Sequence, residues 1–336
     1  MLKAEFLLHH QISRPNWDQF VESSTEGCLY ARSWFLDAVM PEWGAVVVQQ
    51  SGQWEAVLPL RIREKYGIGY ALQPTFCQYL GVLFKQLSGR NNHVLHKKRT
   101  LLQAIISAIP EKIRLFSYNF SPEFDYFLPF VHEGFDVKPR MSLVLPLDRP
   151  LPSIVGDFST SVLNHIKKSQ QNGLVCRMGT GIDVLLQRML RYRFIRRPEE
   201  CEALERLGRF ALERNLGFLL EVVDTQENIQ CSGLFLIEKE KAVFVASALD
   251  RDKRQFGSNS LLILEAIKKC KLMGIKELDF KGSMLYGVEK FFLGFNPRQI
   301  LYLNITRNKL GVLENMAYQM LKKPGSNGSW RLFNLP

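Results

Sequence analysis

The chain has 336 residues, of which 46% are hydrophobic and 23% are charged, and its formal net charge is +11. This composition is typical of a globular protein and excludes a disordered chain, while the length favours two domains over one. No apolar run reaches the roughly 18 residues that span a bilayer, so we expect no transmembrane segment.

The segment MLKAEFLLHHQISRPNW at the start has a short apolar stretch, but no small-residue cleavage site follows it. We therefore expect no signal peptide. The six cysteines are far apart and form no C-x-x-C pair, which favours reduced thiols in a cytoplasmic protein over disulfides or a zinc site. The histidines show no metal-ligand spacing, so we predict no metal.

The first half of the chain is predicted to begin with a helix that leads into three short strands. The helix lies around 31–39, and the strands are GAVVVQQ (44–50), QWEAVLPLRI (53–62) and GIGYALQ (67–73). Their β-branched and aromatic residues and the Ser51-Gly52 turn are typical of hairpins. A helix, TLLQAIISAI, and a strand, KIRLFSYN, follow.

The second half repeats this order. A helix around 200–215 precedes the strands GFLLEVV (217–223), IQCSGLFLI (229–237) and AVFVASAL (242–249), and then come the helix SLLILEAIKKCKLMG and the strand IKELDF. The repeat indicates an internal duplication, or alternatively a chance recurrence of α/β elements. Prolines cluster near 146–160, so we predict domains at 1–150 and 151–325, with a loose tail at 326–336.

The two predicted domains differ in charge. Residues 1–150 carry 16 Lys and Arg against 14 Asp and Glu, a net charge of +2, whereas residues 151–336 carry 28 against 19, a net charge of +9. A basic surface suits a coenzyme pyrophosphate, a tRNA or an acidic membrane surface that the protein contacts peripherally. A solvated basic face without a polyanionic partner is the alternative.

The turn before the helix at 258 has the character of an anion site. Arg254, Gly257 and Asn259 lead directly into the helix, whose first N–H groups have no helical partner and lie at the positive end of its dipole. We predict that a diphosphate binds here, which requires an open slot beside position 257. The predicted cofactor-binding residues are Arg254, Gln255, Phe256, Gly257, Ser258, Asn259 and Lys281.

These residues resemble the pyrophosphate turn of the GNAT acyltransferase fold, in which Arg or Gln is followed by two residues, a Gly, one further residue and then Gly or Ala. Asn259 departs from that last small residue, although asparagine tolerates left-handed backbone angles. The tandem plan and several segments resemble the Fem-type branch of this superfamily, whose bacterial members carry a segment like LQPTFCQYLGVLF. The other segments are VLNHIKKSQQNGLVCRMG, FGSNSLLILEAI, LDFKGS and GVEKFFLGFN. Phe292 stands where the Fem-type pattern has lysine.

The resemblance implies an α/β (α+β) protein of two tandem GNAT-like domains, with mixed sheets flanked by helices. It implies an enzyme, an N-acyltransferase that moves an acyl group, acetyl in the simplest case, from acyl-CoA to an amine. The acceptor is a cell-envelope precursor, a sugar or a small metabolite. One alternative is a peptidoglycan aminoacyltransferase that uses aminoacyl-tRNA, which the missing lysine disfavours. Another is a degenerate binding module without catalysis.

In such a fold the acyl carbon lies near the end of the strand IKELDF. Asp279, Ser283 and Tyr286 are therefore the candidate catalytic residues, as a general base, a hydroxyl and a proton donor to the departing thiolate. Each has a structural alternative, since an aspartate and a serine beside a glycine order turns or cap helices, and a tyrosine packs. Lys281 is a candidate phosphate ligand or a solvated lysine.

Candidate acceptor-binding residues lie in the first domain and at the domain junction. Gln73, Gln78 and Tyr79 cluster around a Pro-stiffened loop and suit a polar acceptor, unless their side chains satisfy the loop's own backbone. Lys167, on a predicted helix at the junction, is a candidate contact to an anionic acceptor or part of a charged helix face.

Overall fold

The computed structural model describes residues 2–249, 257–282, 286–311 and 314–316. The chain divides into two compact units. Unit 1 comprises the residues up to Arg140 together with those from Leu301 onward, and unit 2 runs from Met141 to Ile300. These bounds differ from the predicted 1–150 and 151–325, because the strand before the Pro-rich segment buries Leu143 and Leu145 in the core of unit 2.

Unit 1 contains mixed α/β structure in two sheets. Its elements are β1 (Leu2–Leu7), α1 (Arg14–Ser23), α2 (Ser33–Val39), β2 (Gly44–Gln50), β3 (Gln53–Leu60), β4 (Arg63–Lys65), β5 (Ile68–Leu72), β6 (Leu83–Phe84), α3 (Asn91–Ser107), β7 (Ile113–Asn119) and α4 (Leu128–His132). It also contains the start of β8 (Asp136–Pro146), most of β14 (Arg298–Asn308) and 3-10 helices at His9–Gln11 and Leu29–Ala31.

The sheets of unit 1 have the orders β1-β2-β3-β6 and β4-β5-β7-β14. The β2–β3 hairpin turns at Ser51 and Gly52, whose positive φ angles of 51° and 79° match the twist of the flanking strands. Helix α3 connects the parallel strands β5 and β7, and buries Leu101, Leu102 and Ile105 at helical spacing. The predicted strand–helix–strand order is therefore present in this unit.

Unit 2 repeats that order around a single mixed sheet. Its elements are α5 (Leu151–Gly156), α6 (Thr160–Gln171), β9 (Val175–Met178), α7 (Ile182–Arg191), α8 (Pro198–Glu213), β10 (Gly217–Val223), β11 (Ile229–Glu238), β12 (Lys241–Leu249), α9 (Ser258–Leu272), β13 (Glu277–Asp279) and α10 (Tyr286–Leu293). The strand order is β8-β13-β12-β11-β10-β9, with β12 and β13 parallel and connected through α9. No helix in the described ranges is both long and apolar enough to cross a bilayer.

Strand β12 has two irregularities that position the site. Ala246 pairs with Leu234, but Phe244 pairs with Phe235, so Val245 is an extra residue in a β-bulge. Pairing between β12 and β13 covers only Lys241–Val243 and Glu277–Asp279. Beyond Val243 the two strands are no longer paired, which leaves one edge of β12 without a neighbouring strand in the described part of the chain.

Candidate functional site

A cavity of about 530 Å³ lies in unit 2, beside the part of β12 that has left β13. Its walls come from β12, the first turns of α9, α10 and the segment between α7 and α8. The lining residues are Phe194, Phe244, Ser247, Leu249, Asn259, Leu262, Ile263, Gly287, Val288, Phe291 and Phe292. Among these described residues none carries a charge, and Ser247 and Asn259 alone have polar side chains.

Exposure distinguishes the inner end of this cavity from its mouth. Leu262 and Ile263 are 1% exposed, whereas Phe194 is 36% and Val288 is 38% exposed. At the inner end, a Cβ on Gly233 would lie 2.9 Å from both Leu262 Cδ2 and Phe244 Cε2. A side chain on Gly233 would therefore displace these two residues, so the glycine lets them form the inner wall.

The helix start at Gly257 lies against α6 on one side. Gly257 has a φ of +94°, and a Cβ there would lie 2.2 Å from the backbone oxygen of His165. Ser258 and Ser260 are buried, whereas Asn259 lines the cavity. The opening at this helix start is therefore on the Asn259 side. The predicted Arg254, Gln255 and Phe256 lie outside the described residues.

Asp279 is buried at the end of β13, where Ser142 Oγ donates a hydrogen bond of 2.7 Å to its Oδ1. The backbone N–H of Lys281 donates a second bond, of 2.8 Å, to the same oxygen. Burial raises the pKa of this carboxyl above its ordinary value of 3.8. Asp279 thus orders the turn that follows β13, in which Lys281 adopts a left-handed φ of 57°.

The two remaining catalytic candidates contribute no described cavity contact. Ser283 lies outside the described residues. Tyr286 is the first residue of α10, is 75% exposed and is not among the residues that line the cavity. Lys167 is exposed on α6. Within the described ranges, no group of three or more His, Cys, Asp or Glu side chains is arranged to hold a metal ion.

The predicted acceptor residues of unit 1 are buried, but they differ in hydrogen bonding. Gln73 donates to the Cys77 oxygen at 3.1 Å and accepts from the backbone N–H of Asn119 at 2.9 Å, so its amide supports the fold. Gln78 is 5% exposed, and neither atom of its amide has a hydrogen-bond partner in the structure. Tyr79 packs edge-on against Tyr302, with 4.9 Å between ring centroids.

Sequence reasoning missed most of the cavity, and the bulge explains why. Strict alternation along β12 would put Phe244 on the opposite face from Ser247 and Leu249. The extra residue, Val245, brings all three to the face that α9 covers. No sequence pattern indicated that Phe194 lines a cavity, because it is a single apolar residue among arginines. Asn259 and Phe292 were the lining residues that the sequence had singled out.

Several solved structures have a similar fold over most of the chain. FemX aligns with a TM-score of 0.63 and 13% identity, over 93% of this chain and 99% of that chain. A tandem GNAT protein from the clavulanic acid biosynthesis pathway aligns with a TM-score of 0.55 and 10% identity, over 92% of this chain and 99% of that chain. L-PGS from Bacillus licheniformis aligns with a TM-score of 0.54 and 10% identity, over 91% of this chain and 95% of that chain.

No protein-family model and no curated protein sequence matches the chain. At identities of 10 to 13%, the structural likeness establishes the fold and not the substrate. The predicted fold class and the resemblance on which it was based are confirmed at that level. The chain has the fold of the Fem-type tandem GNAT proteins.

Proposed function

We propose that the protein is an N-acyltransferase whose unit 2 binds an acyl-CoA donor. The observation that supports this most directly is the cavity beside β12, whose described lining residues carry no charge and which lies where β12 and β13 separate, next to the start of α9. An unpaired strand edge supplies backbone groups for the amides of a pantetheine arm, and the helix start supplies N–H groups for phosphate. Asn259 lines the cavity at that helix start.

The reaction needs no covalent enzyme intermediate. A neutral amine attacks the thioester carbonyl, a C–N bond forms, the C–S bond breaks, and the amine proton is passed on while the thiolate takes up a proton. We propose that the backbone N–H at the Val245 bulge stabilises the oxyanion, because a bulge leaves such a group outside the strand ladder.

Asp279, Ser283 and Tyr286 remain the proposed proton-transfer residues. Of these, the buried Asp279 is supported by its raised pKa, since a carboxyl of higher pKa is a better proton acceptor near neutral pH. Gln78 is the proposed acceptor ligand in unit 1, because its buried amide has unused hydrogen-bonding capacity. The proposed acceptor is an amine on a cell-envelope precursor, a sugar or a small metabolite in the cytoplasm.

Titration calorimetry with coenzyme A and acetyl-CoA tests the donor. Binding at micromolar to millimolar concentration, followed by acceptor-dependent release of coenzyme A, is the expected result. Absence of both heat and thermal shift at millimolar ligand would refute the proposal. Mass spectrometry of a panel of amines incubated with acyl-CoA then identifies the acceptor from the mass of the acyl group gained.

Aminoacyl-tRNA is the second candidate donor. The net charge of +9 in residues 151–336 favours it. Phe292 disfavours it, because this phenyl group lines the cavity where the Fem-type pattern has a lysine. Incubation with charged tRNA and a cell-wall precursor decides between the donors, since only the tRNA-dependent reaction adds an amino-acid residue to the precursor mass.

A further inference from the structure

The segment between α7 and α8 presents exposed arginines next to the cavity. Five of the ten residues 188–197 are arginine and none is acidic. We infer that Arg193 and Arg196 bind a phosphate of the donor that lies outside the cavity, namely the phosphomonoester on the adenosine of coenzyme A. The inference rests on the proposed acyl-CoA donor and names the residues that recognise its nucleotide end.

Phe194 places this segment beside the donor. Its side chain lines the same cavity as Asn259 at the start of α9, and it is 36% exposed, so it lies where the cavity meets solvent. Consecutive Cα atoms are about 3.8 Å apart, so the backbones of Arg193 and Arg196 lie within about 8 Å of that of Phe194. A donor that extends from the cavity into solvent therefore passes close to both arginines.

The backbone of the segment is held in one conformation. The N–H groups of Phe194 and Ile195 both donate to the Met189 oxygen, at 2.8 Å and 3.3 Å, and Ile195 is buried. Ile195 and Phe194 thus point into the protein and the cavity, while Arg193 and Arg196 are exposed. Arg193 has a left-handed φ of 57°, which is strained for a residue with a Cβ. Such strain is concentrated at ligand-binding sites.

The charges of these two arginines are available to a ligand. Glu200, the buried carboxylate of this region, pairs with Arg197 at 2.8 Å. Its Oε2 also accepts the backbone N–H groups of Arg196 and Arg197, at 2.9 Å and 3.2 Å. Within the described residues, neither Arg193 nor Arg196 has an ion pair, and Arg196 Nε donates to the Arg193 oxygen at 3.4 Å.

A phosphomonoester matches this arrangement in charge and geometry. It carries nearly two negative charges at neutral pH, and each guanidinium can donate two parallel N–H bonds to its oxygens. The described lining of the cavity carries no charge, so it suits the arm of the donor and not a dianion. The two exposed guanidinium groups provide the compensation that the cavity lacks.

Titration calorimetry with coenzyme A and dephospho-coenzyme A tests the inference, because the two ligands differ only in this phosphate. Wild type should bind coenzyme A about 10- to 100-fold more tightly, which is the factor expected for hydrogen bonds to a charged group. The preference should decrease when the ionic strength is raised about tenfold, since the contact is exposed and screened by salt.

Variants locate the phosphate. Arg193→Ala and Arg196→Ala should each weaken coenzyme A binding about 3- to 10-fold and leave the Kd of dephospho-coenzyme A unchanged. Arg196→Lys keeps the charge but loses the paired donors, so its Kd should be intermediate. The matched control is Arg209→Ala on α8, whose side chain is 51% exposed and pairs with Asp183 and Glu205. It removes the same charge away from the cavity and should change neither Kd. Thermal melts check that each variant is folded.

The outcomes separate this inference from the proposed function. If coenzyme A binds no more tightly than its dephospho form, the inference is wrong and the proposed function stands. If the preference persists when both arginines are replaced, or if the replacements weaken both ligands equally, the arginines do not bind this phosphate and the inference is again wrong. If neither ligand binds to wild type, both the proposed function and the inference fail.

Discussion

The buried contact between Ser142 and Asp279 gives the sharpest test of the electrostatics of this site. Both side chains are at most 1% exposed, and the bond between them is 2.7 Å long. A hydrogen bond to a charged group contributes about 1.5–3 kcal/mol, against about 1 kcal/mol for a neutral pair. At a pH where Asp279 is ionised in the folded protein, Ser142→Ala should therefore lower the free energy of unfolding by about 2 kcal/mol. In an Asp279→Asn background, which keeps an oxygen acceptor, the loss should be about 1 kcal/mol.

The pH dependence has a definite sign. Because burial raises the pKa of Asp279, the folded protein binds this proton more tightly than the unfolded chain does. The stabilisation is complete below the unfolded value near 3.8 and is lost as the pH rises through the higher folded value. Asp279→Asn should then gain stability relative to wild type as the pH rises, by about 1.4 kcal/mol for each unit of the shift.

Urea unfolding of wild type and Asp279→Asn between pH 4 and pH 8 measures this difference, and the subtraction cancels the other titrating groups. A difference that stays constant over the whole range would refute the reasoning, because it would mean that the carboxyl has an ordinary pKa in the folded state. The acyl-transfer activity of wild type and Asp279→Asn is measured over the same pH range. If Asp279→Asn abolishes transfer but not stability, the carboxyl is also the proton acceptor.

Two further pairs of substitutions and one single substitution test other contacts in the structure. In a thermal melt, Gly257→Ala should destabilise the protein by several kcal/mol more than Gly274→Ala. Both glycines have a positive φ, but only a Cβ at Gly257 would press against a backbone oxygen of α6. Equal destabilisation by the two substitutions would contradict that contact. Gln73→Leu should lower the free energy of unfolding by about 2–3 kcal/mol, because the amide of Gln73 has hydrogen bonds to lose. Gln78→Leu should leave the free energy of unfolding unchanged or raise it, because the amide of Gln78 has no hydrogen-bond partner in the structure. The reverse order in urea unfolding would contradict this reasoning. Phe292→Ala should cost about 3–5 kcal/mol, since its ring is 7% exposed and stacked, and a change below about 1 kcal/mol would contradict this packing.

The sequence predicts the elements of this fold well because their signals are local. The hairpin at Ser51-Gly52 and the strand–helix–strand order of both units follow from residue periodicity and turn chemistry within short windows. The cavity is different, because it depends on a single extra residue, Val245, that reverses which side chains of β12 share a face. No composition signal distinguishes a bulged strand from a regular one.

The site residues divide in the same way. Asn259 could be predicted from its place in a turn that leads into a helix, whereas the bonds that occupy Asp279 and Gln73 depend on partners distant in sequence, Ser142 and Asn119. The boundary between the two units also depends on contacts between residues that are distant in sequence. Prolines near residue 150 indicate a break in the chain, but they do not reveal that the preceding strand belongs to the following core.

Strand β14 is far in sequence from β7, with which it pairs, and this separation affects how the protein folds during synthesis. Its residues 304–308 pair with β7, whose other neighbour is β5, so one edge of β7 has no partner until the ribosome has synthesised residue 308. At 5–20 residues per second, the roughly 190 residues from the end of β7 to residue 308 take about 10–40 s. During that interval an open strand edge in the nascent chain is accessible to chaperones and to other nascent chains. A gene fragment that ends at residue 150 would keep that edge open permanently.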